Sequence, residues 1–362
     1  MSDALTNAAS QGLLDEVKML ISQKHNPREN NDIALISAAG NNHFDVVNYL
    51  ISLGCNPRSQ NDRALIWSAS NGYIDMVKHL IELECNPRSQ CDIALVYAAS
   101  NGHIKMVEYL VDSCRCDHRC QNDNALVQCA RNGHFEMMKY LIELGCNPKC
   151  QGESPLMLSI IGNHLEIAEY LMGLNCDINV DNDKIFVMRA YYPGIEAMQF
   201  LISKGCNPRC QNDAAIVQSA RGGQLDIMEY LIDLGCDPTT QNNQALTTSV
   251  MCGHFNIVQY LMFHGYHPEN LDDVFISCSG FGRLEIMKYF VSLGQDPRCR
   301  NDQALIAAAD IDNLAMVKYL VEQGCDVMSQ NGESLRVSAM NGDDAKMTFE
   351  YLISIVISRL AY

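Results

Sequence analysis

Seventeen cysteines and ten histidines are the groups best equipped for chemistry in this chain. The densest cluster is Cys114, Cys116, His118 and Cys120, with Cys146 and Cys150 in the next stretch. Thiolates and an imidazole are the ligands of a structural zinc site. No C-x-x-C pair occurs anywhere, however, and most of these cysteines belong to longer series. Cys55, Cys85, Cys116, Cys146, Cys176, Cys206, Cys236 and Cys325 share one slot, and Cys120, Cys150, Cys210 and Cys299 fall four residues after it. A reduced cysteine is a small apolar residue that buries readily, so a scaffold role is the favoured reading and zinc the sharper one. Disulfides are not expected, because equivalent slots in stacked units lie roughly 10 Å apart, beyond the about 7 Å that a bridge spans. His43, His103, His134, His164 and His254 also recur in one slot. There is no H-E-x-x-H, no Gly-Lys pair for a phosphate loop, no G-x-S-x-G and no complete G-x-G-x-x-G. The chain reads as a non-enzyme without cofactor or metal.

The recurrence has one cause. Leu5, Leu35, Leu65, Leu95, Leu126, Leu156, Phe186, Ile216, Leu246, Ile276, Leu305 and Leu335 form an apolar ladder with a spacing of 30 in nine of eleven intervals. A fixed period of this size is the signature of a solenoid, in which each unit touches only its neighbours and none folds alone. In the type unit, residues 31–60, Asp32 is placed to cap a first helix; Asp62, Asp92, Asp123, Asp183, Asp213, Asp273 and Asp302 take the same slot. Leu35, Ala38 and Ala39 follow at helical spacing, and Asn41-Asn42, elsewhere Asn-Gly, breaks the helix. A second helix carries an apolar stripe of Phe44, Val47, Leu50 and Ile51, with Gly54 as a left-handed C-terminal cap and Pro57 as a stop.

These units resemble the ankyrin repeat family. Gly152-Glu153-Ser154-Pro155-Leu156 is close to its G-x-T-P-L opening, Gly133-His134-Phe135-Glu136 to its G-H-L-E turn, and Gly54-Cys55-Asn56 to its G-A-D segment. The resemblance implies an all-α solenoid of about twelve stacked helix-turn-helix units with a concave binding face. It makes the recurrent cysteines stand-ins for alanine and the recurrent histidines loop stabilisers. The family unit has about 33 residues, and the shortfall here lies in its β-hairpin finger, so short turns are expected. This short form is similar to the ankyrin proteins encoded by giant DNA viruses of amoebae. A single domain over 1–362 is expected, with units near 1–30, 31–60, 61–90, 91–121, 122–151, 152–181, 182–211, 212–241, 242–271, 272–300, 301–330 and 331–362, the last a cap. The unit from Cys91 has one extra residue near Cys114-Arg115, the unit from Asp272 lacks one between its helices, and the last has two more around Asp343-Asp344. Its final helix, with Ile353, Ile355, Val356, Ile357 and Leu360, is more apolar than a solvent-facing end requires.

The formal charge of −17, from 26 basic and 43 acidic residues, argues against nucleic acid as a ligand. No signal-peptide core and no run of about 18 apolar residues is present. A cytoplasmic monomer is expected, in the host cytoplasm if viral.

Recognition is sought where the units differ. The slots of Ile33, Ser37 and Gly40 vary freely and share one helix face. They hold Trp67 and Tyr97, Arg131, Met188 and Tyr191, Arg221, and Phe281; the resemblance places such slots on the concave groove. Aromatics and arginine dominate interface energetics, which makes Trp67 and Tyr97 a candidate pair, with packing against neighbouring units as the alternative. The unit from Asn182 departs most, with Arg189 in a small-residue slot and Tyr191-Tyr192-Pro193 at its turn; it is either a contact site, with exposed aromatic and basic residues beside Met188 as a mixed patch, or a decayed repeat, the contact site being the favoured reading. A basic row runs through the turns at Arg28, Arg58, Arg88, Arg119, Lys149, Arg209 and Arg298. It either pairs with carboxylates such as Asp62 and Asp92, or receives an acidic or phosphorylated protein segment. The expected function is a protein–protein interaction scaffold for host or viral proteins; the alternative is a substrate adaptor for a ubiquitin ligase, with only about the last ten residues left to recruit it.

Overall fold

The computed structural model describes residues 4–340 and 346–360, without the side chains of 180–182, 346 and 360. Asp343 and Asp344, and the side chain of Leu360, lie outside the described residues. Helices alternate in pairs from Ala4–Ser10 and Leu14–Ser22 to Ser329–Met340 and Lys346–Leu360, and no strand occurs among the described residues. Short turns therefore stand where the family carries its hairpin finger. The pairs fall into two compact units, Met1–Val180 and Asp181–Tyr362. Within each, consecutive first helices pack on one another and second helices pack on their own first helix.

The apolar ladder is the reason. Leu35, Leu65, Leu95, Leu126, Leu156, Ile216 and Leu246 are fully buried, each contributing about 1.5–3 kcal/mol by leaving water. Ala38 and Ala39 are buried beside Leu35 and allow adjacent first helices to approach closely. In the second helix, Phe44–Ser52, burial falls on Val46, Val47 and Leu50, while Phe44 and Ile51 are half-buried. Gly54 takes φ 89 at the C-terminal cap as expected, and Lys24, Glu84 and Asn175 take the same left-handed turn where glycine is missing. The extra residue of the fourth unit is absorbed at this corner: Ser113 and Cys114 extend it, and Arg115 adopts the positive φ.

Two expectations change. The ladder position in the tenth unit belongs to Phe275, fully buried, and not to the half-buried Ile276. The missing residue therefore precedes the first helix, Asp272–Gly280, and does not fall between the helices. Asp272, not Asp273, then occupies the recurrent acidic slot: it accepts a hydrogen bond from Gln295 (2.9 Å), while Asp273 sits outside and pairs with Arg300.

The recurrent aspartate is also no ordinary helix cap. Gln60, Asn61 and Asp62 all have φ between 54 and 62, a single left-handed turn that precedes the right-handed helix, and the triplet recurs at Asn30–Asp32, 90–92, 121–123, 211–213 and 300–302. Three such non-glycine residues in succession are unfavourable by themselves. Neighbouring units supply the compensation. Gln60 donates to the carbonyls of Asn30 and Asn31 (3.1 Å each), Gln151 to those of Gln121 and Asn122, and Gln330 to those of Arg300 and Asn301. Asp62 is buried and accepts from the Asn86 amide (3.1 Å) and the Ser89 hydroxyl, both in the turn that leads into the next first helix, Ser89–Ser100.

Candidate functional site

The groups with reactive potential are absorbed by the same unit-to-unit joints. The Cys55 thiol donates to the carbonyl of Pro27 (3.3 Å), Cys116 to Pro87, Cys176 to Pro148, Cys236 to Pro208 and Cys325 to Pro297. Burial, reinforced by Asp32, Asp62 and Asp213 respectively, pushes Cys55, Cys85 and Cys236 from the usual 9.0 up to about 12. These are protonated, unreactive thiols. All seventeen cysteines are free, and among the described residues no group of three or more His, Cys, Asp or Glu is placed to hold a metal ion. Two of the histidines tie their turn to the one before: Nε2 of His43 lies 3.0 Å from the Ser10 carbonyl, and Nε2 of His254 lies 3.0 Å from that of Arg221. The His134 ring covers Gly102 so closely that a Cβ there would fall 2.7 Å from Nδ1.

Much of the basic row is engaged by the recurrent aspartate of the turn that follows it. Arg58 pairs with Asp62 (3.5 Å), Arg88 with Asp92 (3.2 Å), Arg119 with Asp123 (3.4 Å) and Arg209 with Asp213 (3.2 Å), in each case an exposed guanidinium on a buried carboxylate four residues ahead. This is the structural alternative left open by the sequence. Donating this hydrogen bond to the Asp92 carboxylate raises the Arg88 pKa further.

In the first compact unit the variable helix face forms a cleft of about 350 Å³. Trp67 and Tyr97 both line it, from equivalent positions on Ser59–Ser70 and Ser89–Ser100. Trp67 is half-buried and packs on Gly40, where a Cβ would come within 3.2 Å of the ring; Tyr97 is 44% exposed. Packing and display thus divide between the two rings. The residue that sequence reading passed over is Arg63, in the variable slot of Ile33 and one turn before Trp67; its guanidinium lies 4.7 Å from the Trp67 ring centre. The i, i+4 spacing of Arg63 and Trp67 was the available signal.

The second compact unit has a smaller cleft of about 190 Å³ lined by Met188, Tyr191, Tyr192 and Gln218. The two tyrosine rings meet edge to face at 5.1 Å. Arg189 is not part of an exposed patch. It is fully buried, and its guanidinium donates to the carbonyls of Tyr192 (2.7 Å), Pro193 (2.7 Å) and Gly194 (3.1 Å), pinning the turn that carries the tyrosines. Desolvation lowers its pKa against the opposing pull of Glu196. Arg131 and Arg221 are exposed near the ends of their helices, outside both clefts. Phe281, 47% exposed, occupies the interhelical turn; with Phe275 as the ladder residue, the variable slot belongs to Gly280 instead, and Cys278 is buried.

Residues 5–91, 95–182 and 187–272 each match the family described as Ankyrin repeats (3 copies), and residues 303–332 match Ankyrin repeat. The chain belongs to the ankyrin repeat family, whose repeats form scaffolds for protein–protein interaction. Among solved structures, the human ASB11 ankyrin repeat domain is similar at 20% identity and a TM-score of 0.42, covering 60% of this chain and 98% of that one. No curated protein matches the sequence at a significant level. No helix among the described residues is long and apolar enough to cross a membrane.

Proposed function

We propose that the protein is a non-enzymatic scaffold that captures protein partners, host or viral, on the variable face of its first helices, acting as a monomer in the cytoplasm. The observation that carries this reading is the cleft at Trp67 and Tyr97, where the one tryptophan of the chain and an exposed tyrosine line the same concavity. A preformed surface of this kind loses little ordering entropy on binding. The resemblance to ankyrin proteins of giant amoebal viruses supports the viral setting. The test is affinity capture from host lysate with wild type beside a Tyr97→Ala/Tyr191→Ala variant, both rings exposed, with thermal melting as the control for folding. Loss of the captured protein at an unchanged melting temperature is expected; undiminished capture would sink the reading. The adaptor alternative draws on the last unit, where Met340, Met347 and Ile357 are 72%, 68% and 61% exposed and offer apolar surface to a ligase subunit. Ligase subunits lost from the captured material on changing these three residues to serine would select it.

A further inference from the structure

The cleft at Trp67 and Tyr97 has a charge character opposite to that of the protein. The chain carries −17, yet among the described residues no carboxylate lines this cleft, and Arg63 is its single charged group. Arg58 and Arg88 on the neighbouring turns are engaged by buried aspartates, whereas Arg63 is held by neutral groups. Its guanidinium lies over the Trp67 ring, and Nη1 donates to Oε1 of Gln60 at 2.7 Å. The amide groups beside it are committed elsewhere: Gln60 donates to the carbonyls of Asn30 and Asn31, and Gln90 to that of Asn61. What the cleft offers a ligand is therefore one oriented guanidinium next to an apolar surface of Ile66, Trp67, Ile93 and Tyr97.

We propose that this cleft receives a linear segment of a protein partner in which one carboxylate side chain meets Arg63 and an adjacent leucine-sized or aromatic side chain enters beside Trp67 and Tyr97. The inference rests on the scaffold reading above and names the partner's chemistry. Contact with the Trp67 ring and the hydrogen bond to Gln60 restrict the guanidinium in advance, and its planar fork matches a carboxylate through two parallel hydrogen bonds. A single acid is specified, not an acidic run, because the −17 charge of the chain repels every additional negative group.

Random linear peptides displayed on phage are panned on the wild-type chain, and the enriched sequences are remade as fluorescent synthetic peptides for anisotropy titration. The expected consensus has one Asp or Glu within a few positions of a large apolar residue. Arg63→Met, at an exposed site, weakens binding by about tenfold or more, the loss that follows removal of a charged hydrogen bond. Replacing the peptide's Glu by Gln costs the same factor, and the two changes together cost no more than either alone. An enriched set without acidic residues, independence of the two changes, or no enrichment at all overturns the proposal. Loss of binding with Tyr97→Ala but not with Arg63→Met leaves the scaffold reading standing and removes only the acidic partner. Peptides indifferent to both Tyr97→Ala and Arg63→Met remove the cleft as a docking site, and with it the observation on which the scaffold reading rests.

Discussion

The thiols differ sharply in their surroundings although they look alike in the sequence. Cys91 and Cys252 are exposed, whereas Cys55, Cys85, Cys146 and Cys236 are buried and hydrogen-bonded or desolvated at the joints between repeats. Alkylation by iodoacetamide near neutral pH, followed by peptide mass spectrometry, is expected to label Cys91 and Cys252 quickly and the buried set only on unfolding; equal labelling of both sets would contradict the thiol assignment. Their burial was legible from the alanine-like slot, but the bond to a proline carbonyl was not, because that acceptor lies in another unit. Arg189 shows the limit more clearly. Its slot called for a small residue, and only the structure shows the guanidinium turned onto three carbonyls of its own turn. Arg189→Ala is expected to cost about 2–4 kcal/mol, from lost charged hydrogen bonds and the cavity left behind. Chemical denaturation measures the cost, and fluorescence quenching of Tyr191 and Tyr192 should show the turn loosened.

The left-handed turn between repeats is the element on which the short unit depends. Its aspartate was legible as a recurrent polar slot, but the expected cap assumed right-handed geometry immediately after it. Three successive positive φ values are visible only in the backbone, and they are tolerated because the following turn supplies partners for the carboxylate and the preceding turn accepts the glutamine amide. The two members of the Arg58–Asp62 pair should therefore have unequal effects. Asp62 is 4% exposed and holds the following turn through Asn86 and Ser89, so Asp62→Ala is expected to destabilise by about 3 kcal/mol. The Arg58 side chain is 52% exposed, and Arg58→Ala is expected to cost about 1 kcal/mol or less. Urea denaturation of both variants decides this; similar losses would mean that the ion pair itself, not the joint, carries the stability.

For the molecule as a whole, repeating one joint many times couples stability to alkaline pH. Cys55, Cys85, Cys120, Cys150, Cys176 and Cys236 are all raised from 9.0 to about 12, chiefly by burial. A raised thiol pKa means that the folded chain binds more protons than the unfolded chain between those two values. Their contribution is fully present below pH 9 and is lost as the pH rises towards about 12. Circular dichroism against pH should show unfolding across that window, and Cys55→Ala/Cys85→Ala/Cys236→Ala should move it upward. An alkaline limb unchanged by those substitutions would assign the transition to other groups.

The period, the helix pairs, the buried ladder and the candidate pair Trp67 and Tyr97 were all legible in the sequence, because a solenoid writes its nearest-neighbour packing into every unit at the same register. The ladder's register failed at Ile276, where a one-residue deletion shifted it and both Phe275 and Ile276 were apolar enough to fit, and Leu335 in the last unit keeps the register but is only half-buried. Tertiary structure alone decided which hand the turns take, where Arg189 points, which arginines are already paired, and that Arg63 lies over Trp67 at the edge of a cleft. Those features depend on atoms contributed by neighbouring units or on side-chain torsions. A one-dimensional pattern records that a slot is polar or variable, but not what the adjacent unit brings to it.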